Sequence, residues 1–153
     1  MKKLMLLFSL LAIFTACSSD DETEVSKNEG RVFLTSYEKY KLQSGEEKER
    51  SKEIHLLYVW KANDKDFDLY TNSVDILEGE LLNKKTGKSE KFFASALKTE
   101  VFGTNLPTGK YVMVVYYADA NKSYTYFDIK NGETTSLKKY YKPKDVGQQY
   151  SEW

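Results

Sequence analysis

The feature that most constrains the fold is the alternation of apolar and polar side chains in short segments between Arg31 and Tyr141. Successive side chains of an extended chain point to opposite faces, so alternation gives a strand one buried and one solvated face. Gly, Asn, Asp and Pro interrupt these segments about every ten residues, a spacing typical of sandwiches. No segment carries a sustained helical stripe. The pattern therefore predicts an all-β fold, a single antiparallel β-sandwich of about seven strands.

The alternation predicts strands over 31–42, 53–61, 74–82, 90–96, 99–104, 110–118, 123–130 and 134–141. Segments 53–61 and 110–118 are apolar on both faces, which is typical of strands in the middle of a sheet. Segment 44–53 is almost wholly charged and contains Gly45. It predicts an exposed hairpin loop, with a short helix as the alternative because Glu and Lys are good helix formers.

The chain begins with a targeting pattern. Lys2 and Lys3 precede an apolar run over 4–14, and small residues lead to Cys17. This arrangement is typical of a secretory signal peptide, and the run is shorter than the roughly 20 apolar residues that span a bilayer. The ending Ala16-Cys17 resembles the lipobox of bacterial lipoproteins. An ordinary signal peptide with a chance cysteine, or a buried apolar strand, is the alternative.

The lipobox resemblance implies cleavage before Cys17, a diacylglycerol on its thiol and acylation of the new amine. Several acyl chains hold a protein stably to a membrane. Because Cys17 is the only cysteine, the mature chain would keep no thiol for a disulfide, a metal or a nucleophile.

The acidic, Ser-rich segment 18–24 is typical of a solvated tether. Ser18 directly after the cysteine resembles outer-membrane lipoproteins, and the acidic cluster resembles the surface-export signal of Bacteroidetes lipoproteins. The sequence thus predicts an outer-membrane, lipid-anchored protein, with the inner or outer face left open. The predicted divisions are a signal peptide over 1–16, a lipidated acidic linker over 17–30, a β-sandwich domain over 31–141 and a C-terminal tail over 142–153.

The stretch 101–115 carries a second resemblance. It has an aromatic strand, followed by Leu106-Pro107-Thr108-Gly109-Lys110-Tyr111 and then an apolar strand. This pattern resembles the transthyretin-like sandwiches, including carboxypeptidase regulatory-like and Cna-B-type modules. Segment 127–134 fits their penultimate strand and turn. The resemblance covers residues 74–141, leaves the strand order open, and brings no catalytic residue with it.

Two candidate chemical sites have simpler interpretations. His55 is the only histidine, and a general base or zinc ligand needs partners, so we expect a packed or edge histidine on a strand.

Asp64, Asp66 and Asp68, with Asp75 at the twelfth position, have the spacing of a calcium-binding EF-hand loop. Leu69 replaces its glycine and strands flank it, so a solvated acidic turn is favoured while calcium stays open. We expect no enzyme activity, no cofactor and no metal.

Tyrosines are concentrated on the predicted strands over 110–118 and 123–130. If Phe127 and Ile129 face the core, Tyr124 and Tyr126 face outward, where aromatic rings can stack on sugars or bind protein. Ordinary cross-strand packing is the alternative. The C-terminal aromatics either form a second patch or dock the tail on its own domain; they are Tyr140, Tyr141, Tyr150 and Trp153.

Charge narrows the class of partner. The chain has 23 basic and 23 acidic residues, and removal of Lys2 and Lys3 leaves the mature protein near −2. Such a balance argues against a nucleic-acid binder. The expected function is a non-enzymatic, lipid-anchored cell-envelope protein that presents its β-sandwich to an envelope protein partner and contacts the membrane through lipid on Cys17. The alternative is a glycan- or small-ligand-binding surface lipoprotein that uses Tyr124 and Tyr126.

Overall fold

The computed structural model describes residues 28–69, 77–118, 122–141 and 151–153; the signal peptide, Cys17 and almost all of the linker lie outside them. Within these ranges no helix is long and apolar enough to cross a membrane. The described chain forms eleven strands: β1 (Glu29–Lys41), β2 (Glu47–Ser51), β3 (Ile54–Lys61), β4 (Glu80–Asn83), β5 (Lys88–Lys91), β6 (Ala94–Thr99), β7 (Val101–Pro107), β8 (Gly109–Tyr116), β9 (Lys122–Ile129), β10 (Thr134–Tyr141) and β11 (Ser151–Glu152).

The strands build two main sheets and one hairpin. In the first sheet, β1 pairs in parallel with β10 on one side, while β7 and β2 lie end to end on its other side. The second sheet has the order β11-β9-β8-β3-β6, and β4 and β5 form a separate two-stranded hairpin. Ser36 marks the change of partner along β1. Its N–H donates to the Glu100 carbonyl, and its carbonyl accepts from Lys52, both at 3.0 Å.

The main core lies between the two large sheets. Val32 and Leu34 from β1 are fully buried against Leu57 and Val59 from β3 and Met113 from β8. Two-residue periodicity also turns Ser36 inward, where its hydroxyl lies 2.9 Å from the Tyr117 hydroxyl. Because a buried hydroxyl without a partner costs about 1–3 kcal/mol, this pairing removes a penalty from the core.

A second core covers the outer face of the second sheet. Trp60, Val112 and Val114 point away from the first sheet, yet they are buried against Phe67 and Leu81. These last two come from the chain after β3 and from the β4–β5 hairpin, which we call the cover hairpin. The second sheet is therefore buried on both faces, which explains why β8 is buried from Tyr111 through Tyr116.

The link 106–109 carries the chain from the first sheet to the second. β7 ends at Pro107 in one sheet, and β8 begins at Gly109 in the other. Leu106 and Tyr111 are fully buried, and the Tyr111 hydroxyl donates to the Pro107 carbonyl at 2.8 Å. Both side chains therefore pack in the main core next to the link between the two sheets.

The all-β sandwich prediction is confirmed, as are the central positions of 53–61 and 110–118. Three details are corrected. The described chain has eleven strands rather than seven, and β1–β10 and β11–β9 are parallel rather than antiparallel. Segment 44–53 contains β2 instead of a loop or helix. Its charged side chains are all exposed, so pairing with the end of β1 buries no charge.

Candidate functional site

A cleft opens at the end of the second sheet where β3 stops and β8 begins. It consists of adjoining cavities of about 270 Å³ and 680 Å³, comparable with the roughly 300–1,000 Å³ of small-ligand sites. Both cavities are lined by Ala62, Lys65, Lys110 and Asp128. Tyr126 lines only the smaller cavity. We call the two together the Tyr126 cleft.

Lys110 and Asp128 form the centre of the Tyr126 cleft. They are directly opposite each other in the β8–β9 register, and both are exposed. Opposite residues of paired strands project from the same face about 5 Å apart. Within the described ranges neither side chain makes an ion pair. The cleft thus holds an ammonium and a carboxylate that do not neutralise each other by direct contact.

Tyr126 presents an aromatic ring beside this pair of charges. It precedes Asp128 by two residues on β9, so the two side chains share one face of the strand. The Tyr126 side chain is 44% exposed, and its ring meets the Tyr124 ring edge-on at 6.2 Å between centroids. The pKa of Lys84 is raised mainly by the hydrogen bond that its ammonium donates to the Asp66 carboxylate, and Tyr126 lies close enough to add a smaller contribution in the same direction.

The rim of the larger cavity is fixed by Asn63 and Gly109. The Asn63 side-chain oxygen accepts from the Lys110 N–H at 2.6 Å. Gly109 has a φ of +146°, and a Cβ built there would lie 2.7 Å from the same Asn63 oxygen. Glycine therefore permits the close approach that holds Asn63 against the start of β8.

Next to the cover hairpin, the wall of the Tyr126 cleft is formed by three hydrogen-bonded side chains, Lys65, Asn83 and Glu90. The Lys65 ammonium contacts one Glu90 carboxylate oxygen, and the Asn83 amide donates to the other at 2.9 Å. Burial by itself would raise the pKa of Glu90. The hydrogen bonds from Lys65 and Asn83, with the charge of Lys65, outweigh burial and hold that pKa below its usual value. Lys65 is thereby held in place at the edge of the cleft.

The structure corrects the expected exposure of one of the two predicted tyrosines. Tyr126 faces solvent, but Tyr124 is only 7% exposed because it packs into the second core under the cover hairpin. The predicted orientation of β9 is confirmed, since Phe127 and Ile129 belong to the main core. The apolar residues Phe67 and Leu69, which lie between the predicted strands 53–61 and 74–82, were the available sequence signal for this extra layer.

Sequence reasoning missed Asn63, Lys110 and Asp128. Nothing in their local sequence marks them, because the β8–β9 register and the chain reversal after β3 bring them together.

The aspartates of segment 64–68 have lysine contacts. Asp66 pairs with Lys84 at 3.0 Å, and the Asp64 carbonyl accepts from Lys85 at 2.8 Å. Among the described residues, no group of three or more His, Cys, Asp or Glu side chains could hold a metal ion; Asp75 lies outside those ranges. His55 is exposed on β3, which agrees with the prediction of a histidine on a strand.

The C-terminal aromatics do not form one patch. Tyr140 lies beside Tyr37 at 6.2 Å, while Tyr141 contacts Tyr117 and packs against the main core. Trp153 also packs against that core, and its backbone N–H donates to the Tyr124 carbonyl at 3.1 Å. The end of the tail therefore docks on its own domain, as the second of the two interpretations predicted; Tyr150 lies outside the described residues.

A second exposed surface follows β6, the terminal strand of the second sheet. Leu97 is 70% exposed on β6, and Phe93, just before this strand, is 52% exposed. The other sheet margins differ. β2 carries almost only charged residues, and β9 is partly covered by β11. Within the described chain, β6 is thus a sheet edge that combines unpaired backbone groups with large exposed apolar side chains.

Comparison with known proteins gives one distant structural likeness. The chain matches no protein-family model and no curated protein. A solved structure of GBS52, the minor pilin of Streptococcus agalactiae, is similar over 80% of this chain and 49% of the pilin chain, with a TM-score of 0.43 and 11% identity. The chain therefore spans about half the length of that pilin.

Proposed function

We propose that this chain is a non-enzymatic, lipid-anchored protein of the bacterial outer membrane that presents its β-sandwich to a protein partner. The anchor is proposed from the lipobox-like ending at Cys17. The observation that carries the partner role is the exposed apolar edge formed by β6 and Phe93.

The physical argument concerns unpaired strands. An edge strand offers a row of N–H and C=O groups to any extended chain that reaches it, and proteins usually protect such edges with charge, proline or a covering segment. β6 has one charged residue, Lys98, and no proline. Leu97 and Phe93 add apolar contact area of the kind enriched in the cores of interfaces. An extended segment of a partner protein fits this edge by adding a strand.

The test places a photo-crosslinking amino acid at position 97 in intact cells. We expect one discrete crosslinked product at this position and none with the same amino acid at Ser136, an exposed position on β10. In a second experiment, Leu97→Asp should abolish co-purification of the crosslinked protein, while Ser136→Asp should leave it unchanged. Equal crosslinking at both positions, or co-purification that survives Leu97→Asp, would contradict the partner role of this edge.

A second candidate function is binding of a glycan or another small ligand. The specific observation that favours it is the exposed Tyr126 ring lining a cavity beside Lys110 and Asp128. Aromatic faces with a few polar groups are the usual composition of such sites. Binding of the purified chain to a glycan array should be lost in Tyr126→Ala and kept in Tyr40→Ala, which changes an exposed tyrosine on β1 far from the cleft. Binding that survives Tyr126→Ala would remove the basis of this candidate.

A further inference from the structure

We propose that the Tyr126 cleft binds an uncharged sugar ring, whose hydroxyl groups bridge Lys110 and Asp128 while its C–H face lies on the Tyr126 ring. This inference rests on the second candidate function and names its class of ligand. It also assigns binding roles to Lys110 and Asp128.

The argument begins with the donors and acceptors at the centre of the cleft. A lysine ammonium only donates hydrogen bonds, and an ionised aspartate only accepts them. Lys110 and Asp128 are cross-strand neighbours on one face, and neither is in an ion pair with any described residue. A hydroxyl group both donates and accepts. A single hydroxyl, or two on adjacent carbons, therefore satisfies both side chains at once.

The same two charges exclude other ligand classes. A phosphate, sulfate or carboxylate that approaches Lys110 also meets the Asp128 carboxylate, and a cation that approaches Asp128 meets the Lys110 ammonium. Like charges a few ångströms apart repel with an energy of the order of kilocalories per mole at a protein surface. The Lys65 ammonium at the wall does not add a free positive charge to the cleft, because it is paired with the Glu90 carboxylate. An uncharged polyol meets neither repulsion, and its hydroxyl groups can bind both side chains.

Tyr126 supplies the apolar part of the site. Tyr126 precedes Asp128 by two residues on β9, and its side chain is 44% exposed, so a flat ligand can lie on the ring. The face of an aromatic ring carries partial negative charge and attracts the weakly positive C–H groups of a pyranose. The smaller cavity, about 270 Å³, contains Tyr126, Lys110 and Asp128 together. All three side chains therefore line the same cavity, which offers a ligand both an aromatic surface and hydrogen-bonding groups.

The larger cavity offers room for continuation of a chain. It adjoins the first and is lined by Asn63, Gly109 and Lys130, with a volume of about 680 Å³. The Asn63 oxygen is used by the Lys110 N–H, which leaves its amide hydrogens as donors for a second unit. A disaccharide or longer glycan is thus expected to bind more tightly than a single ring.

The experiment measures binding of the full chain, purified in a detergent without a sugar headgroup, to immobilised oligosaccharides. The probes are neutral oligomers of glucose, galactose and mannose, compared with uronate-containing and sulfated oligomers of the same length. We expect binding to at least one neutral series. The affinity should fall about tenfold or more in each of Tyr126→Ala, Lys110→Met and Asp128→Asn, since each removes a contact with a charged or aromatic partner.

Matched controls use the far end of the sandwich. Tyr40→Ala and Lys41→Met remove an exposed tyrosine and an exposed lysine from β1 and should leave the affinity unchanged. Circular dichroism of every variant should match the unchanged chain, because the altered side chains are exposed.

Each other outcome is decisive. Binding confined to uronate-containing or sulfated oligomers overturns the assignment of an uncharged ligand. Neutral-sugar binding that Tyr126→Ala abolishes, but that persists in Lys110→Met and Asp128→Asn, overturns the roles of the two charged residues and leaves the second candidate function standing. Absence of binding to every probe overturns both the inference and that candidate function.

Discussion

At the scale of single residues, the cleft depends on contacts that backbone conformation permits. Asn63 lies against the start of β8 because residue 109 has no side chain, and Lys110 follows directly in the strand. Gly109 is the first residue of β8, directly after the link from β7. The contact with Asn63 was not predictable, because the two residues are 46 positions apart and meet through the pairing of β3 with β8.

Gly109→Ala tests this close approach. We expect a loss of about 2–4 kcal/mol in the free energy of unfolding by urea, since the new methyl group meets the Asn63 side chain in addition to the strain of a positive φ. Gly45→Ala is the matched control. Gly45 also has a positive φ, of +86°, but nothing lies within 4 Å of an added Cβ, so we expect a cost of about 1 kcal/mol. Equal losses in the two variants would show that the contact with Asn63 has no effect.

At the scale of elements, the cover hairpin changes what the sheet can present. It buries the outer face of the second sheet, including Tyr124, and leaves Tyr126 and Asp128 open at its margin. The hairpin is attached to the chain after β3 by the group of Lys65, Asn83 and Glu90. Because this attachment includes a carboxylate with a lowered pKa, the stability of the protein should depend on pH through Glu90.

Glu90→Gln tests that dependence. A pKa lowered by folding means that the unfolded chain binds the proton more readily, so the stabilisation is present above the unfolded pKa and is lost as pH falls. The free energy of unfolding, measured from about pH 6 down to about pH 3, should therefore decline less steeply in the variant than in the unchanged chain.

The decline should not disappear in Glu90→Gln. Folding also lowers the pKa of Glu38, where hydrogen bonds from Arg50 and Lys52 outweigh desolvation, and of Glu49, mainly through a hydrogen bond from Tyr140. Glu133→Gln, which removes an exposed carboxylate 3.8 Å from Lys130, is the control and should leave the slope unchanged. The prediction fails if the two variants have the same slope.

At the scale of the whole molecule, the first described residues of the chain lie at the end of the sandwich where the cleft opens. β1 begins at Glu29, and the Asn28 carbonyl accepts from the Thr108 N–H next to the rim residue Gly109. Glu29 is twelve positions after Cys17, a span of at most about 40 Å when extended. A lipid on Cys17 would therefore keep the start of β1, at the cleft end of the sandwich, within about 40 Å of the membrane surface, while the β1–β2 hairpin extends at the opposite end.

Cys17→Ala tests the anchor. We expect the protein to move from the membrane pellet to the soluble fraction after an alkaline carbonate wash and to lose incorporation of labelled fatty acid, because the thiol that accepts the lipid is gone. Thr23→Ala in the proposed tether should leave both readouts unchanged. Membrane pelleting and fatty-acid incorporation that Cys17→Ala leaves unchanged would contradict lipid attachment at this residue.

Two-residue periodicity within single strands was enough to predict the fold class, the central positions of β3 and β8, and the outward orientation of Tyr126. It could not predict the parallel pairing of β10 with β1, the burial of Tyr124, or the meeting of Lys110, Asp128 and Asn63. These features depend on which strands pair, in which register, and on what packs across a sheet. Such contacts join residues far apart in sequence, and local alternation carries no information about their partners.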